Sequence, residues 1–290
     1  MRGGCWAATA LIAGLGAGAD TVVLRPAEGE LSALLDRVGA AVERYYARAQ
    51  NLICLEEVRL QSLGLDLLAD SNPARRLAYE LRVAWEPPSA GGLPEATVLR
   101  QLLKVNGRDP RPRDEPGCMD PKSVSPEPLA MLLPASRDEF IFTLAGRRAV
   151  RNREAVMIDY RSRTVGEITV TWRGECFSIS LPGRARGRVW IDSATDEVLR
   201  LDEHLSGTFD YQLPRDRVRP GGPAFVTIER LDSSIEYRPV TFSDPDETLL
   251  LPSSVETVSV VRNSGIPRLR TSQTLRHYQR FLTSGRVVRP

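Results

Sequence analysis

The sequence predicts a mainly β (α+β) fold: a curled antiparallel sheet, or half-open β-barrel, of about ten strands with an N-terminal amphipathic helix and a short second helix. Two observations support this prediction. Apolar and polar residues alternate over many short segments, which is the period of half-buried strands. Turn residues rather than helices separate most of these segments, so neighbouring strands should be joined as antiparallel hairpins. A sheet of that many strands has to curl or close.

One segment near the N-terminus has helical spacing instead. Between Glu28 and Gln50 the apolar residues recur every three or four positions, at Leu31, Leu34, Leu35, Val38, Val42, Tyr45 and Ala49. Pro26 precedes this segment and Asn51 follows it, and both are typical of helix boundaries. A single apolar stripe predicts a helix that buries one face against the sheet.

The strands follow this helix in sequence order. The first clear alternation runs from Leu77 to Trp85, and the next strand, Val98 to Val105, ends at the turn signal Asn106-Gly107. A Pro- and Asp-rich loop at 108–124 precedes a short helix that Ser125 could cap. Later strands are predicted at 139–144, 156–160, 168–172, 177–181, 187–192, 197–202, 225–231, 235–240, 255–262 and 269–281, with 225–231 and 235–240 as a pair of strands.

The first nineteen residues predict a cleaved secretory signal peptide. Arg2 supplies a positive charge, Cys5–Leu15 is an uncharged apolar run, and Ala17 and Ala19 are small residues at the cleavage positions. The run is shorter than the roughly 20 residues that span a bilayer. A buried N-terminal helix is the alternative, which the glycines of this segment disfavour. We therefore expect one β domain at 20–290, periplasmic or secreted, with no transmembrane segment after cleavage.

Export would leave three cysteines in an oxidising compartment, which allows one disulfide. Cys118 lies in the polar loop, Cys176 at a predicted strand start, and Cys54 in an apolar strand pattern typical of a buried thiol. We predict a Cys118–Cys176 disulfide, although the sequence alone leaves the other pairings open.

Composition and motifs argue against several classes of function. The 39 basic and 37 acidic residues nearly balance, so no field for nucleic acid is expected. The sequence has no P-loop, no G-x-S-x-G and no C-x-x-C motif, and His204 and His277 lack metal-ligand spacing. We expect no cofactor, no metal and no enzymatic activity. A hydrolase remains the alternative, because a Ser-His-Asp triad is recognised by geometry rather than by spacing.

Three short motifs suggest a family. They are Gly187–Asp192 (GRVWID) followed by Val198–Leu201, then Leu251–Thr257 (LPSSVET), and finally Tyr278–Phe281 (YQRF). Together with the signal peptide and the amphipathic helix, they resemble the LolA/LolB-type lipoprotein-carrier superfamily, which includes RseB/MucB. The resemblance implies a half-open antiparallel barrel with helices over an apolar cavity, and a ligand that is a lipid, an acylated peptide or a lipoprotein acyl chain.

The resemblance also implies that bulky residues on the strand faces line the cavity. The candidate lining residues are Tyr79, Leu81, Val83, Trp85, Phe140, Phe142, Trp172 and Trp190. The alternative is a fully packed core without a ligand space. In that case the protein would be a periplasmic sensor or interaction module that binds an envelope protein instead of a lipid.

Overall fold

The computed structural model describes residues 28–86, 93–112, 114, 117–120, 127–174, 176–218, 220–264, 268–281 and 287–288. The predicted signal peptide at 1–19 lies outside these residues, and so do Ser125 and Pro126. No helix within the described ranges is long and apolar enough to cross a membrane.

The described chain contains one long helix, several short helical turns and fourteen strands. The helices are α1 (Glu28–Arg48) and α2 (Pro134–Arg137), with 3-10 helices at Glu127–Leu132 and Arg215–Arg217. The first seven strands are β1 (Leu52–Leu63), β2 (Arg75–Glu86), β3 (Glu95–Val105), β4 (Phe140–Val150), β5 (Arg153–Ser162), β6 (Thr169–Arg173) and β7 (Cys176–Ser180). The others are β8 (Ala185–Asp192), β9 (Val198–Leu205), β10 (Phe209–Gln212), β11 (Phe225–Ser243), β12 (Asp246–Arg262), β13 (Arg268–Phe281) and β14 (Val287–Val288).

One antiparallel sheet contains twelve of these strands. Ten follow the order β3-β2-β1-β13-β12-β11-β9-β8-β5-β4, while β10 pairs with β11 and β14 pairs with β13. The end strands β3 and β4 do not pair with each other in the described structure, so the sheet is not closed into a barrel. Strands β6 and β7 form a separate hairpin. The predicted open antiparallel sheet of about ten strands is confirmed.

Helix α1 covers one face of this sheet. Its buried residues form one hydrophobic cluster with side chains of β1, β2, β5, β8, β9, β11, β12 and β13. The helix ends at Arg48, close to the predicted end, and Tyr46 rather than Tyr45 is its fully buried tyrosine. Gly39 permits a close approach, since a Cβ there would lie 3.2 Å from the Leu132 carbonyl oxygen of the first 3-10 helix.

One predicted boundary is wrong. The residues 225–231 and 235–240, predicted as two paired strands, belong to the single 19-residue strand β11. The intervening Asp232, Ser233 and Ser234 do not turn, because they pair with β9 on one side and with β12 on the other. These three polar residues resemble a turn signal in the sequence, but in the structure they form backbone pairs with the strands on both sides of β11.

A smaller hydrophobic cluster lies at the other end of β1 and β2. We call it the satellite cluster, and it consists of Val58, Leu60, Leu77, Tyr79, Val105 and Leu269. Met119, in the loop after β3, packs against it. The predicted disulfide is present: Cys118 of this loop is bonded to Cys176, with their Cα atoms 5.1 Å apart. Cys54 is a buried free thiol.

Candidate ligand-binding site

The structure separates the eight residues that the sequence placed in one cavity. Leu81, Val83 and Trp85 lie on the buried face of β2 and line a small cavity beneath α1. Tyr79 lies two residues before Leu81 on the same face of β2, but it belongs to the satellite cluster. Of the eight predicted residues, only Leu81, Val83 and Trp85 therefore line this cavity.

The other four candidates lie elsewhere. Phe140 and Phe142 of strand β4 pack against the edge of the main core, with their ring centroids 6.1 Å apart. Trp172 lies in the separate hairpin, 5.3 Å from the ring of Phe177. Trp190 has the guanidinium carbon of Arg200 5.0 Å from its ring centre.

The cavity beneath α1, here called the inner cavity, has a volume of about 40 Å³. Strands β1, β2, β11, β12 and β13 form it together with one tyrosine of the helix. It is lined by Tyr45, Leu52, Cys54, Glu56, Leu81, Val83, Trp85, Ile235, Tyr237, Pro252, Val255, Gln273, Leu275 and Tyr278. Sequence reasoning missed the contribution of the last three strands. The sequence does contain an indication of this contribution, because the large residues Tyr237 and Tyr278 lie within predicted strands.

A second space, the outer cleft, lies along the same helix. Its volume is about 220 Å³. It is lined by Ala41, Val42, Arg44, Tyr45, Arg48, Leu129, Thr195, Glu197, Val198, Tyr237, Leu249 and Leu250. Tyr45 and Tyr237 border both spaces. These two tyrosines, which both linings share, are here called the wall.

The inner cavity contains polar groups that have no partner. The indole Nε1 of Trp85, the hydroxyl of Tyr237 and the carboxamide Oε1 of Gln273 are buried without a hydrogen bond to any described group. Burial raises the pKa of Tyr237 well above its ordinary value, so its hydroxyl stays protonated. By contrast, the hydroxyl of Tyr278 donates a hydrogen bond to the carbonyl oxygen of Pro252 at 2.6 Å.

A buried ion pair limits the cavity on the side of the satellite cluster. Arg100 Nε and Nη2 donate to the two carboxylate oxygens of Glu56 at 2.6 and 2.9 Å. Burial raises the pKa of Glu56, and the charge of Arg100 opposes this effect. Burial also raises the pKa of Cys54 to about 12, which keeps its thiol protonated and a poor nucleophile. The one thiol among the described residues that line this cavity is therefore not an activated nucleophile.

A polar network holds the C-terminal end of α1 against the sheet. Arg280, which is buried, donates to the carbonyl oxygen of Arg48 at 2.5 Å and also to the carboxylate of Glu247. Arg48 Nε donates to the same carboxylate at 2.5 Å. Burial alone would raise the pKa of Glu247, but the hydrogen bonds from both arginines lower it below its ordinary value. The helix is thus anchored next to the residue pair Tyr45 and Tyr46.

A histidine–aspartate pair lies in a different place. His204 lines a groove of about 650 Å³ formed by residues of β4, β5, β8 and β9. His204 Nδ1 lies 3.0 Å from Asp232 Oδ1, and Ser206 lines the same groove. In the described part of the chain no hydrogen bond joins Ser206 to the imidazole. The nucleophile-to-base contact of a catalytic triad is therefore missing from this geometry. The described residues also contain no group of three or more His, Cys, Asp or Glu side chains that could hold a metal.

Neither a protein-family profile nor a curated protein sequence matches this chain.

Several solved structures are similar to it over most of its length. An outer membrane lipoprotein-sorting protein domain from Vibrio parahaemolyticus has 10% sequence identity and a TM-score of 0.40, over 87% of this chain and 93% of its own. A LolA superfamily protein from Nitrosomonas europaea has 9% identity and a TM-score of 0.33, over 87% and 94%. The MucA/MucB complex of Pseudomonas aeruginosa has 11% identity and a TM-score of 0.23, over 85% and 93%.

LolA-type and MucB-type proteins, which the sequence motifs resemble, are thus among the structures to which this chain is similar. With TM-scores below 0.5, these similarities assign no residue and no ligand to this chain.

Proposed function

We propose that this protein is a non-enzymatic exported binder of an acyl chain, carried by a lipid, an acylated peptide or a lipoprotein anchor. The observation that supports this function is the pair of spaces beside α1, whose linings share Tyr45 and Tyr237. Most side chains around both spaces are apolar, as binding of a hydrocarbon requires. Each methylene transferred from water would contribute about 0.8 kcal/mol.

The volumes imply that binding needs a movement of the wall. The inner cavity of about 40 Å³ and the outer cleft of about 220 Å³ are both smaller than the roughly 300–1,000 Å³ of pockets for small-molecule ligands. Tyr45 is carried by the helix and is only partly buried, whereas Tyr237 is carried by a central strand. We therefore expect Tyr45 to move and join the two spaces when a chain binds.

The first test is the content of the purified protein. Residues 20–290 are exported to an oxidising periplasm, purified, and weighed by native mass spectrometry before and after organic extraction. We expect an additional mass that is released as an acyl lipid. A folded protein that carries no ligand, and binds none when mixed with hexadecanoyl lipids, contradicts the proposal.

A cavity-filling variant locates the binding site. Val83→Phe adds a ring into the inner cavity and should lower the bound lipid at least fivefold, because the space it fills is the space the ligand needs. Leu99→Phe is the matched control, since Leu99 on the neighbouring strand β3 is 61% exposed. Equal lipid content in the two variants argues against this cavity.

A protein-interaction module is the second candidate. Strand β3 lies at one end of the sheet order and carries the exposed Leu99, and an edge strand can accept an extended segment of a partner. Co-purification of one defined envelope protein with lipid-free material would favour this function. Replacing Leu99 with Lys should then abolish the interaction.

A further inference from the structure

Three strands each bring to the lining of the inner cavity a residue whose buried polar atom has no hydrogen bond to any described group. These atoms are Trp85 Nε1 on β2, Tyr237 Oη on β11 and Gln273 Oε1 on β13, and their residues are only 5%, 3% and 3% exposed. Buried polar groups in folded proteins are nearly always hydrogen-bonded. Three residues with such polar atoms around one cavity of about 40 Å³ therefore indicate that the cavity binds a polar group.

The chemistry of the three atoms defines what would satisfy them. An indole N–H can only donate a hydrogen bond, a phenol can donate or accept, and a carboxamide oxygen accepts. A carbonyl oxygen would accept from Trp85 and Tyr237, and an N–H beside it would donate to Gln273. A secondary amide carries both groups, whereas an ester carries only the acceptor.

The charges around the cavity exclude an ionic group. Glu56 and Arg100 are the charged pair at this site, and each satisfies the other through two hydrogen bonds. Arg44 and Arg48 border the outer cleft and not the inner cavity. A carboxylate or phosphate placed in the inner cavity would be a buried charge without a counterion, which is far less favourable than a buried amide.

We infer that the inner cavity is a subsite for a neutral acyl linkage, and that an amide fits it better than an ester. This inference rests on the proposed function, because it concerns the polar end of the acyl ligand. The cavity accommodates a carbonyl-sized group, since about 10–15 Å³ suffices for one water. The hydrocarbon chain of the ligand then runs past Tyr45 into the outer cleft.

Four probes of equal chain length test the preference: N-methylhexadecanamide, methyl hexadecanoate, hexadecanoate and hexadecane. Their affinities are measured by calorimetry for the delipidated protein and for Tyr237→Phe, Gln273→Met and the control Trp190→Phe, which lies outside the cavity. We expect the wild type to bind the amide most tightly, then the ester. Tyr237→Phe should weaken amide binding about fivefold, because one hydrogen bond is lost. Gln273→Met should remove the preference for amide over ester, and no variant should change hexadecane binding.

The outcomes separate the inference from the proposed function. If the wild type binds none of the four probes, the acyl-binding function fails, and the subsite with it. If the wild type binds hexadecane and the ester but the variants bind the amide as tightly as the wild type does, the function stands and the subsite is wrong. Tighter binding of hexadecanoate than of the amide also overturns the subsite. Tyr237→Phe removes only a hydroxyl, so an unchanged circular dichroism spectrum and a melting temperature that is not lowered will show that its loss of affinity is not a loss of fold.

Discussion

Strands β1 and β2 bury the same face at both of their ends, but different elements of the structure cover the two ends. Beneath α1, Leu52 and Val83 border the inner cavity. At the other end, Val58 and Leu77 belong to the satellite cluster, none of whose residues lines that cavity. The satellite end is covered by a loop that a disulfide holds in place. The other end is covered by helix α1, which carries Tyr45 and Tyr46. The regular backbone of a helix cannot follow every hollow of a curved sheet, whereas the irregular backbone of a loop can.

The Glu56–Arg100 ion pair lies on β1 and β3 at the boundary between these ends. Glu56 is on the same buried face of β1 as Cys54 and Val58, one on either side of it. Burying two charges is costly unless each satisfies the other, and here the contact is bidentate. The pair lies between the satellite cluster and the end of the strands that borders the inner cavity.

Removing one member of this pair should have the largest effect. Arg100→Met leaves Glu56 buried without its counterion, and we expect the free energy of unfolding to fall by about 4 kcal/mol. Arg82→Met is the control, because Arg82 pairs with Glu80 at an exposed site and should cost less than about 1 kcal/mol. Urea unfolding measures both, and similar losses in the two variants would mean that the boundary pair is not special.

Removing the disulfide should weaken the satellite end more than the cavity end. The bond joins residues 58 positions apart, so replacing both Cys118 and Cys176 with Ser should cost about 3 kcal/mol. The neighbouring Asp120 accepts a hydrogen bond from Arg75 of β2 at 3.1 Å, which connects this loop to the satellite end.

Hydrogen exchange locates this effect. Backbone amides around Leu77 should lose protection before those around Val83 when the disulfide is absent. Earlier loss of protection at Val83 would contradict the assignment of the loop to the satellite end.

The anchor of α1 should make the stability of the cavity end depend on pH. The pKa of Glu247 is lowered in the folded protein, so its contribution is complete above its ordinary pKa of 4.5 and disappears as the pH falls through the folded value. We expect Glu247→Gln to lower stability by about 1 kcal/mol at pH 7. The difference from the wild type should shrink below about pH 4.5.

Thermal unfolding between pH 7 and pH 3 measures this difference. Glu154→Gln serves as the control, because Glu154 pairs with Arg147 where both side chains are mostly exposed. A gap between the wild type and Glu247→Gln that stays constant down to pH 3 would mean that the carboxylate contributes nothing as an anion.

The smallest effects are expected at Tyr237 and Tyr278 of the inner cavity, and they have opposite signs. Tyr237→Phe deletes a buried hydroxyl without a partner and should raise the free energy of unfolding of the ligand-free protein by about 1 kcal/mol. Tyr278→Phe deletes a hydroxyl that is bonded to the Pro252 carbonyl and should lower it by about 1 kcal/mol. Chemical denaturation distinguishes the two signs, and a destabilised Tyr237→Phe would indicate that its hydroxyl is already satisfied.

The local pattern of residues was sufficient for much of this fold. The apolar stripe of α1, the alternation in β2 and the turn at Asn106-Gly107 were all predicted, because each depends on residues close together in the chain. The same reasoning failed at Asp232–Ser234, where polar residues continue β11. A polar triplet turns the chain or remains in a strand according to the strands on either side, and these neighbours come from distant segments.

The sequence by itself determined that this chain forms an open antiparallel sheet with one covering helix, since periodicity and turn residues are local properties. Bulky side chains on the strand faces predict eight cavity residues, but the structure brings only Leu81, Val83 and Trp85 to the inner cavity. Tertiary structure alone decided that Trp85, Tyr237 and Gln273 line one cavity with polar atoms that no described group hydrogen-bonds. The reason is that β1 and β13, and then β12, lie between β2 and β11 in the sheet, and no short-range pattern encodes these pairings between distant segments.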